Sequence, residues 1–99
     1  MAALPASVIV VSRHRPEALQ RCLMALFQQD HPDFELIVIA DPQAAAAAEA
    51  TLRRFGQPAR VQAFDEANIS AARNLGLIRA AGQVVAFIDD DAVAEPSWL

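Results

Sequence analysis

Four short apolar segments, separated each time by a stretch of helical character, constrain the fold of this chain more than any other feature. They are residues 7–11, 34–40, 60–64 and 84–88, and all but the third are rich in β-branched side chains. The first two are apolar runs without polar alternation, which are typical of strands that are buried on both faces of a sheet, whereas the third is a weaker strand signal. The order β-α-β-α-β-α-β therefore predicts an α/β fold with a Rossmann-like parallel sheet and right-handed crossovers.

The first helix is indicated by an apolar stripe that follows a proline. Pro16 suits the first turn of a helix, where its missing N–H has no partner to lose. Leu19, Cys22, Leu23 and Leu26 then recur at helical spacing. Because Cys22 lies on this stripe, we expect it in the core and not as a nucleophile.

The second and third helices are indicated by an alanine run and by a capping residue. Residues 43–55 contain five consecutive alanines, which are strong helix formers. Asn68 or Ser70 is expected to cap a third helix that extends to about Ala81. Gly76 in the middle of that helix costs about 1 kcal/mol relative to alanine, which predicts close packing against the sheet.

Composition excludes several classes of function. The 99 residues suffice for a single domain over residues 1–99, and 55% of them are hydrophobic. A net charge of −4 offers no basic surface for a nucleic-acid backbone, so no nucleic-acid partner is expected. One cysteine allows no internal disulfide, and no apolar run is long enough to be a transmembrane segment. We expect a cytoplasmic protein, with peripheral membrane attachment open for a full-length form.

Acidic side chains follow three of the predicted strands. In an open parallel sheet, ligands bind beyond the carboxyl ends of the strands, where Asp41, Asp65 and the acidic triplet at 89–91 would lie. Asp89 and Asp91 are two residues apart on an extended segment, so their carboxylates project to one side. Such oxygen ligands suit Mg²⁺ or Mn²⁺.

Each of these features also has a plain structural explanation. The triplet at 89–91 also fits a solvated acidic loop, since short acidic motifs often match by chance. Asp41 precedes Pro42, which is a common arrangement in turns. Arg73 lies among alanines on the third helix, where a surface arginine is the default.

Several segments, in order, resemble the family 2 glycosyltransferases of the GT-A fold. SVIVVSRHRPEALQRCL resembles the opening of the family, where the strand is followed by Pro-Thr-Tyr-Asn-Arg-Pro. FELIVIADP resembles its second strand, and NISAARNLGLIRAAGQVVAFIDDDAVAEPSWL resembles its Ala-Arg-Asn-x-Gly helix and DxD strand. The resemblance covers residues 7–99 and implies the N-terminal, nucleotide-sugar-binding half of such an enzyme.

The resemblance implies a glycosyl transfer from a nucleotide-diphosphate sugar, with UDP as the default nucleotide and Mn²⁺ or Mg²⁺ as cofactor. The backbone of Val11 and Ser12 would lie under the nucleoside, and Asp41 would bind the base. Arg73 would hold the base or nearby donor atoms.

Within the acidic triplet, the resemblance makes Asp91 the metal ligand. Asp89 would match the first acidic residue of the motif and assist at the metal, while Asp90 faces the ribose in relatives with a shifted register. The family's usual aromatic residue is replaced by Arg13, which leaves any stacking on the base to that side chain. Pro42 and Gln43 replace the usual Gly-Ser, so the identity of the base is open.

The last residues resemble the start of a further helix, so we expect a fragment of a longer protein. In the family, the missing half carries the acceptor site and the general base, which would then lie beyond Leu99. We therefore expect donor binding but no transfer by this chain alone. The fourth strand would also present an apolar edge that favours self-association.

Two other functional hypotheses compete with that of a glycosyltransferase. IDDDAV also fits the motif of haloacid-dehalogenase-like phosphatases, with Asp89 as nucleophile and Asp91 as acid/base. That motif normally follows the first strand of its fold, whereas here it follows the fourth. The second alternative is a non-catalytic scaffold domain that has kept a nucleotide-binding shape.

Overall fold

The seven predicted elements are present in the predicted order. The computed structural model describes residues 5–29, 34–55, 59–90 and 92. The strands are β1 (Ala6–Ser12), β2 (Phe34–Ala40), β3 (Ala59–Ala63) and β4 (Val84–Asp89). The helices between them are α1 (Pro16–Leu26), α2 (Pro42–Phe55) and α3 (Ile69–Arg79).

The four strands form one parallel sheet in the order β3-β2-β1-β4. Val11 of β1 is opposite Ile39 of β2 on one side and opposite Asp89 of β4 on the other. All four carboxyl ends therefore lie along one edge of the sheet. The predicted parallel sheet is confirmed, and so is the burial of β1 and β2 on both faces.

Helices cover both faces of the sheet. α1 and α2 pack on one face, where the predicted stripe of Leu19, Cys22, Leu23 and Leu26 is fully buried. α3 packs on the other face, where Ala72 lies against Ile9, Ile37 and Ile39. The alternation of side chains along β1 and β2 divides the core into these two layers.

Close contact between α3 and the sheet explains the glycine in the middle of that helix. A Cβ atom added at Gly76 would lie 2.6 Å from Cγ2 of Ile9. This branch is attached directly to the Cβ of Ile9, so it has little freedom to move away. The predicted close packing at Gly76 is confirmed.

The amino edge of the sheet is fixed by a small polar network. The buried hydroxyl of Ser7 donates to Oε2 of Glu35 over 3.1 Å and accepts from the backbone N–H of Gly82 over 2.8 Å. The backbone N–H of Ala81 donates to the same oxygen of Glu35 over 3.1 Å. These bonds attach the chain between α3 and β4 to the start of β1 and β2.

The outer side of β4 has no neighbouring strand among the described residues. Val84 and Phe87 are each 41% exposed, and Ile78 on α3 is 77% exposed. The predicted apolar, exposed edge at β4 is therefore confirmed, whereas self-association through it stays a prediction. Within the described ranges, no helix is long and apolar enough to cross a membrane.

Several element ends lie one or two residues from their predicted positions, and the structure selects one of the two predicted caps of α3. β3 begins and ends one residue earlier than predicted, which leaves Phe64 just beyond the strand. α3 ends at Arg79, two residues before the predicted Ala81, because Ala80 adopts an extended conformation. The side chain of Asn68 accepts a hydrogen bond from the N–H of Ala71, as a helix cap does, so Asn68 is the cap and Ser70 lies inside the helix.

We predict that Gly76→Ala destabilises the protein although alanine is the better helix former. The steric conflict with Ile9 should cost about 1–3 kcal/mol, against a gain in helix propensity of about 1 kcal/mol. Chemical denaturation should show a lower free energy of unfolding for this variant. Asn74→Ala, at an exposed position of the same helix, is the control and should not lower it. Equal stabilities of the two variants would contradict the close packing.

Candidate functional site

A cleft of about 480 Å³ lies at the carboxyl edge of the sheet, on the side of α3. Its volume lies within the range of small-molecule sites in proteins. The end of β1, the end of β2, the loop between β3 and α3, the first turns of α3 and the end of β4 all contribute to its walls. The contributing residues are Val11, Ser12, Arg13, Arg15, Ile39, Phe64, Glu66, Ala67, Asn68, Ile69, Ala72, Asp89 and Asp90.

Asp90 lines this cleft and is held there by the last residue of β1 and by the loop that follows it. The hydroxyl of Ser12 donates to Oδ2 of Asp90 over 2.9 Å, and both residues are buried. The guanidinium of Arg15 lies 3.6 Å from Oδ1 of the same carboxylate. Because the two loops are tied together here, the backbone of Ser12 and the acidic turn after β4 have a fixed relative position.

Asp89 lies at the rim of the cleft, where its carboxylate is open to solvent. Its side chain is 73% exposed, and Oδ1 lies 3.8 Å from the guanidinium of Arg73 on α3. The same guanidinium lies over the ring of Phe87, 5.9 Å from its centroid. The thiol of the buried Cys22 donates to the backbone oxygen of Asp89 over 3.6 Å, so Cys22 belongs to the core as expected.

The described residues contain no complete divalent-cation site. Among them, no three His, Cys, Asp or Glu side chains are grouped as metal ligands. The predicted ligand Asp91 lies outside the described residues. Mg²⁺ is commonly held by one or two carboxylates together with phosphate oxygens of the substrate, so the solvent-open carboxylate of Asp89 fits such a site.

Asp41 occupies a buried position beside the cleft and is not part of its walls. Its Oδ1 accepts from the backbone N–H of His14 over 2.7 Å, and its Oδ2 accepts from the N–H of Ala44 over 3.3 Å. The backbone N–H of His14 and then that of Ala44 lower the pKa of Asp41, an effect that burial opposes. The carboxylate thus caps α2 and connects it to the loop after β1.

His14 is the residue with a positive φ in the described part of the chain. Its φ of 59° lies in the left-handed region, which side-chain-bearing residues rarely adopt. This conformation accompanies the hydrogen bond from its N–H to Asp41. Its imidazole is 60% exposed, with Nδ1 3.8 Å from Asp41 and Nε2 3.8 Å from Asp65.

The structure brings most of the predicted site residues together at the cleft. Val11, Ser12, Arg13, Asp89 and Asp90 all line the cleft. Arg73 lies next to it and contacts Asp89, whereas Asp41 is buried behind the loop after β1. The assigned roles of these residues stay predictions.

The predicted site omitted several residues that line the cleft. No role was predicted for Arg15, and the sequence did not indicate its ion pair with Asp90. Phe64, Ile69 and Ala72 are apolar, whereas the site residues predicted at the strand ends are polar. The correct end of β3 would have placed Phe64 at this edge.

The sequence model described as Glycosyl transferase family 2 matches residues 7–99, which is nearly the whole chain. The chain belongs to the family 2 glycosyltransferases. The family membership and the GT-A-like sheet favour the transferase over the phosphatase alternative. Asp89 is the last residue of β4, and Asp90 follows it directly.

Relatives and solved structures support the same assignment. The chain is 28% identical to the glycosyltransferase GlyA of Streptococcus pneumoniae over 95 residues, which is 94% of the chain but 14% of GlyA. S. aureus TarS 1-349 superposes with a TM-score of 0.81 at 26% identity, over 94% of this chain and 29% of that one. The mannosyltransferase PcManGT from Pyrobaculum calidifontis, solved with GDP-Man and Mn²⁺, has a TM-score of 0.84 at 20% identity. The superposition covers 98% of this chain and 32% of PcManGT, and it supports the fold assignment.

We predict that Asp41→Ala lowers the free energy of unfolding by about 2 kcal/mol at pH 7, because it removes a helix cap and a charged acceptor. The folded-state pKa of Asp41 lies below the ordinary 3.8. Its contribution is therefore complete above pH 3.8 and is lost as the pH falls through the folded pKa. Denaturation of wild type and variant should show a stability difference that shrinks below pH 3.8.

The matched control is Glu49→Ala, an exposed acidic residue on α2. It should change the free energy of unfolding by less than about 0.5 kcal/mol at any of these pH values. A loss at Glu49 equal to that at Asp41 would contradict the capping role.

Proposed function

We propose that this chain binds the donor of a glycosyl transfer, a nucleotide-diphosphate sugar with UDP as its nucleotide, together with Mn²⁺ or Mg²⁺. The observation that carries the proposal is the cleft at the carboxyl edge of the sheet. It combines two carboxylates at the end of β4, Asp89 and Asp90, with two arginines from the loop after β1. An anionic ligand beside carboxylates requires cations, which a divalent metal and these arginines would provide.

The comparisons add support for this class of ligand. TarS 1-349 in complex with UDP superposes on the chain with a TM-score of 0.80 at 26% identity. The solved complex of PcManGT contains GDP-Man and Mn²⁺, and that protein has the same fold. UDP is the default nucleotide here because the TarS complex is the more similar in sequence.

The charged residues around the cleft receive distinct roles in this proposal. Asp89 and Asp91 would hold the metal, which offsets charge on the departing diphosphate when it is bound. Arg73, whose guanidinium lies 3.8 Å from Asp89, would stabilise the same developing charge. Ser12 and Arg15 fix Asp90, and the backbone of Val11 and Ser12 forms the floor under the nucleoside.

The transfer itself needs more than these residues. The bond from the sugar to the diphosphate breaks, a bond to an acceptor oxygen forms, and the acceptor proton passes to a general base. The chain spans 14% of GlyA and 29% of TarS 1-349, so we assign the acceptor site and the base to protein outside these residues.

Two expectations about the surroundings of the chain also stay proposals. The first is a cytoplasmic location, with peripheral membrane attachment of a full-length form, which fractionation of cells would test. The second is self-association through the exposed edge of β4, which sedimentation equilibrium would test.

We predict metal-dependent binding of UDP to the purified chain. Calorimetric titration of UDP should give a measurable affinity with Mn²⁺ and a much weaker one without it. Asp91→Ala should lower the affinity at least about tenfold in the presence of Mn²⁺, because a lost metal ligand or its support typically costs that much. Asp89→Asn should act in the same direction.

Asp65→Asn is the matched control for these variants. Asp65 lies at the same edge and pairs with Arg13 over 3.4 Å, but it does not line the cleft. Its substitution changes the net charge as Asp89→Asn does and should leave the affinity for UDP within about twofold, as expected of an exposed ion pair. Binding of UDP that is independent of Mn²⁺ would contradict the proposed metal site. An equal loss of affinity in Asp91→Ala, Asp89→Asn and Asp65→Asn would contradict it as well.

A further inference from the structure

The two described acids at the end of β4 have different surroundings. Side chains alternate along a strand, so Asp89 and Asp90 project to different faces of the sheet. Asp89 lies 3.8 Å from the guanidinium of Arg73 on α3. Asp90 follows Ile88 by two residues, and Ile88 packs against the core layer under α1 and α2. The neighbouring acids are therefore placed for different tasks.

Asp90 is a buried carboxylate whose partners come from the end of β1 and the loop after it. Its side chain is 11% exposed, against 73% for Asp89. Oδ2 of Asp90 accepts the hydroxyl of Ser12 over 2.9 Å, and Oδ1 lies 3.6 Å from the guanidinium of Arg15. A buried charge is unfavourable unless it is paired and hydrogen-bonded, so these contacts keep the carboxylate in place.

A second buried carboxylate holds the same part of the chain from the other side. We call residues 12–15 the β1 loop. Oδ1 of Asp41 accepts the backbone N–H of His14 in this loop over 2.7 Å. Asp41 follows β2 and Asp90 follows β4, the two strands that flank β1. The β1 loop is thus attached to both neighbouring strands through one carboxylate on each side.

The β1 loop carries a large part of the cleft and has a conformation that needs support. Ser12, Arg13 and Arg15 all line the cleft. His14, which lies between them, has a φ of 59°. A residue with a side chain keeps such a conformation only when the surrounding structure fixes it. The loop therefore depends on its two anchors for its shape, and Asp90 is the anchor on the side of β4.

We propose that Asp90 is a positioning residue for the donor. It holds the β1 loop in the shape that the nucleoside requires, through Ser12 and Arg15, and it contacts neither the ribose nor the metal itself. This inference rests on the proposed donor binding and separates the middle acid of the triplet from Asp89 and Asp91. It replaces the ribose contact that relatives with a shifted register imply for Asp90.

The test is calorimetric titration of UDP in the presence of Mn²⁺. Ser12→Ala and Asp90→Ala should each weaken the binding of UDP by at least about fivefold, the equivalent of one buried hydrogen bond. Because both changes release the same loop, the double variant should bind UDP within about twofold of Asp90→Ala. Losses that multiply in the double variant would show that Ser12 and Asp90 act independently and would overturn the positioning role.

Two comparisons separate positioning from a direct contact with the donor. Asp90→Ala should weaken the binding of UDP and of 2′,3′-dideoxy-UDP by the same factor, because the loop lies under both nucleosides. A ribose contact would instead give a loss for UDP alone. Asp90→Asn keeps an oxygen that accepts the hydroxyl of Ser12, so it should retain more affinity than Asp90→Ala. Equal losses in these two variants would indicate that the charge itself acts on the metal or the donor.

Ser7→Ala is the matched control for structural damage. Ser7 is also a buried serine of β1, and its hydroxyl bonds to Glu35 and Gly82 at the amino edge of the sheet. Its removal should lower the free energy of unfolding as Ser12→Ala does, but leave the affinity for UDP within about twofold, since distant sites act independently. An equal loss of affinity in Ser7→Ala and Ser12→Ala would reduce the effect to stability and overturn the proposal.

The remaining outcomes distinguish this role from the donor site itself. If the folded wild type binds UDP with Mn²⁺ and Asp90→Ala binds it equally well, the positioning role is wrong and the donor site stands. If the folded wild type does not bind UDP, the proposed function fails and the role of Asp90 fails with it.

Discussion

β1 pairs with β2 on one edge and with β4 on the other, and helices cover both of its faces. The pairing with β4 joins two segments that are far apart in the sequence, and it places Val11 opposite Asp89. As a consequence, the loop after β1 and the acidic turn after β4 lie side by side. The relative positions of Ser12, Asp89 and Asp90 in the cleft therefore depend on this pairing.

Polar groups at the two edges of the sheet serve different purposes. At the amino edge, Ser7, Glu35 and the N–H groups at 81–82 satisfy one another and close the structure. At the carboxyl edge, Ser12 and Asp90 form a comparable buried bond, but the neighbouring Asp89 stays open to solvent. An exposed carboxylate beside a fixed one is an arrangement that leaves an oxygen ligand available.

The sequence determines much of this fold through local signals. The apolar runs of β1 and β2 predicted strands buried on both faces, and Gly76 predicted close helix–sheet contact because glycine is unfavourable in a helix interior. The strand order and the burial of Asp90 could not be predicted, since both depend on which strands pair across long separations. Phe64 was not predicted because it is apolar, whereas the candidates at the strand ends were polar side chains.

The most direct test of the account is the mapping of UDP and Mg²⁺ binding onto the backbone amides of the ¹⁵N-labelled chain by NMR. We expect chemical-shift changes at residues 11–15, at 64–72 and at Asp89 and Asp90, with the amino edge at Ser7 and Gly82 unaffected. Shifts confined to the amino edge, or a folded chain whose spectrum does not respond, would contradict a donor site at the carboxyl edge of the sheet.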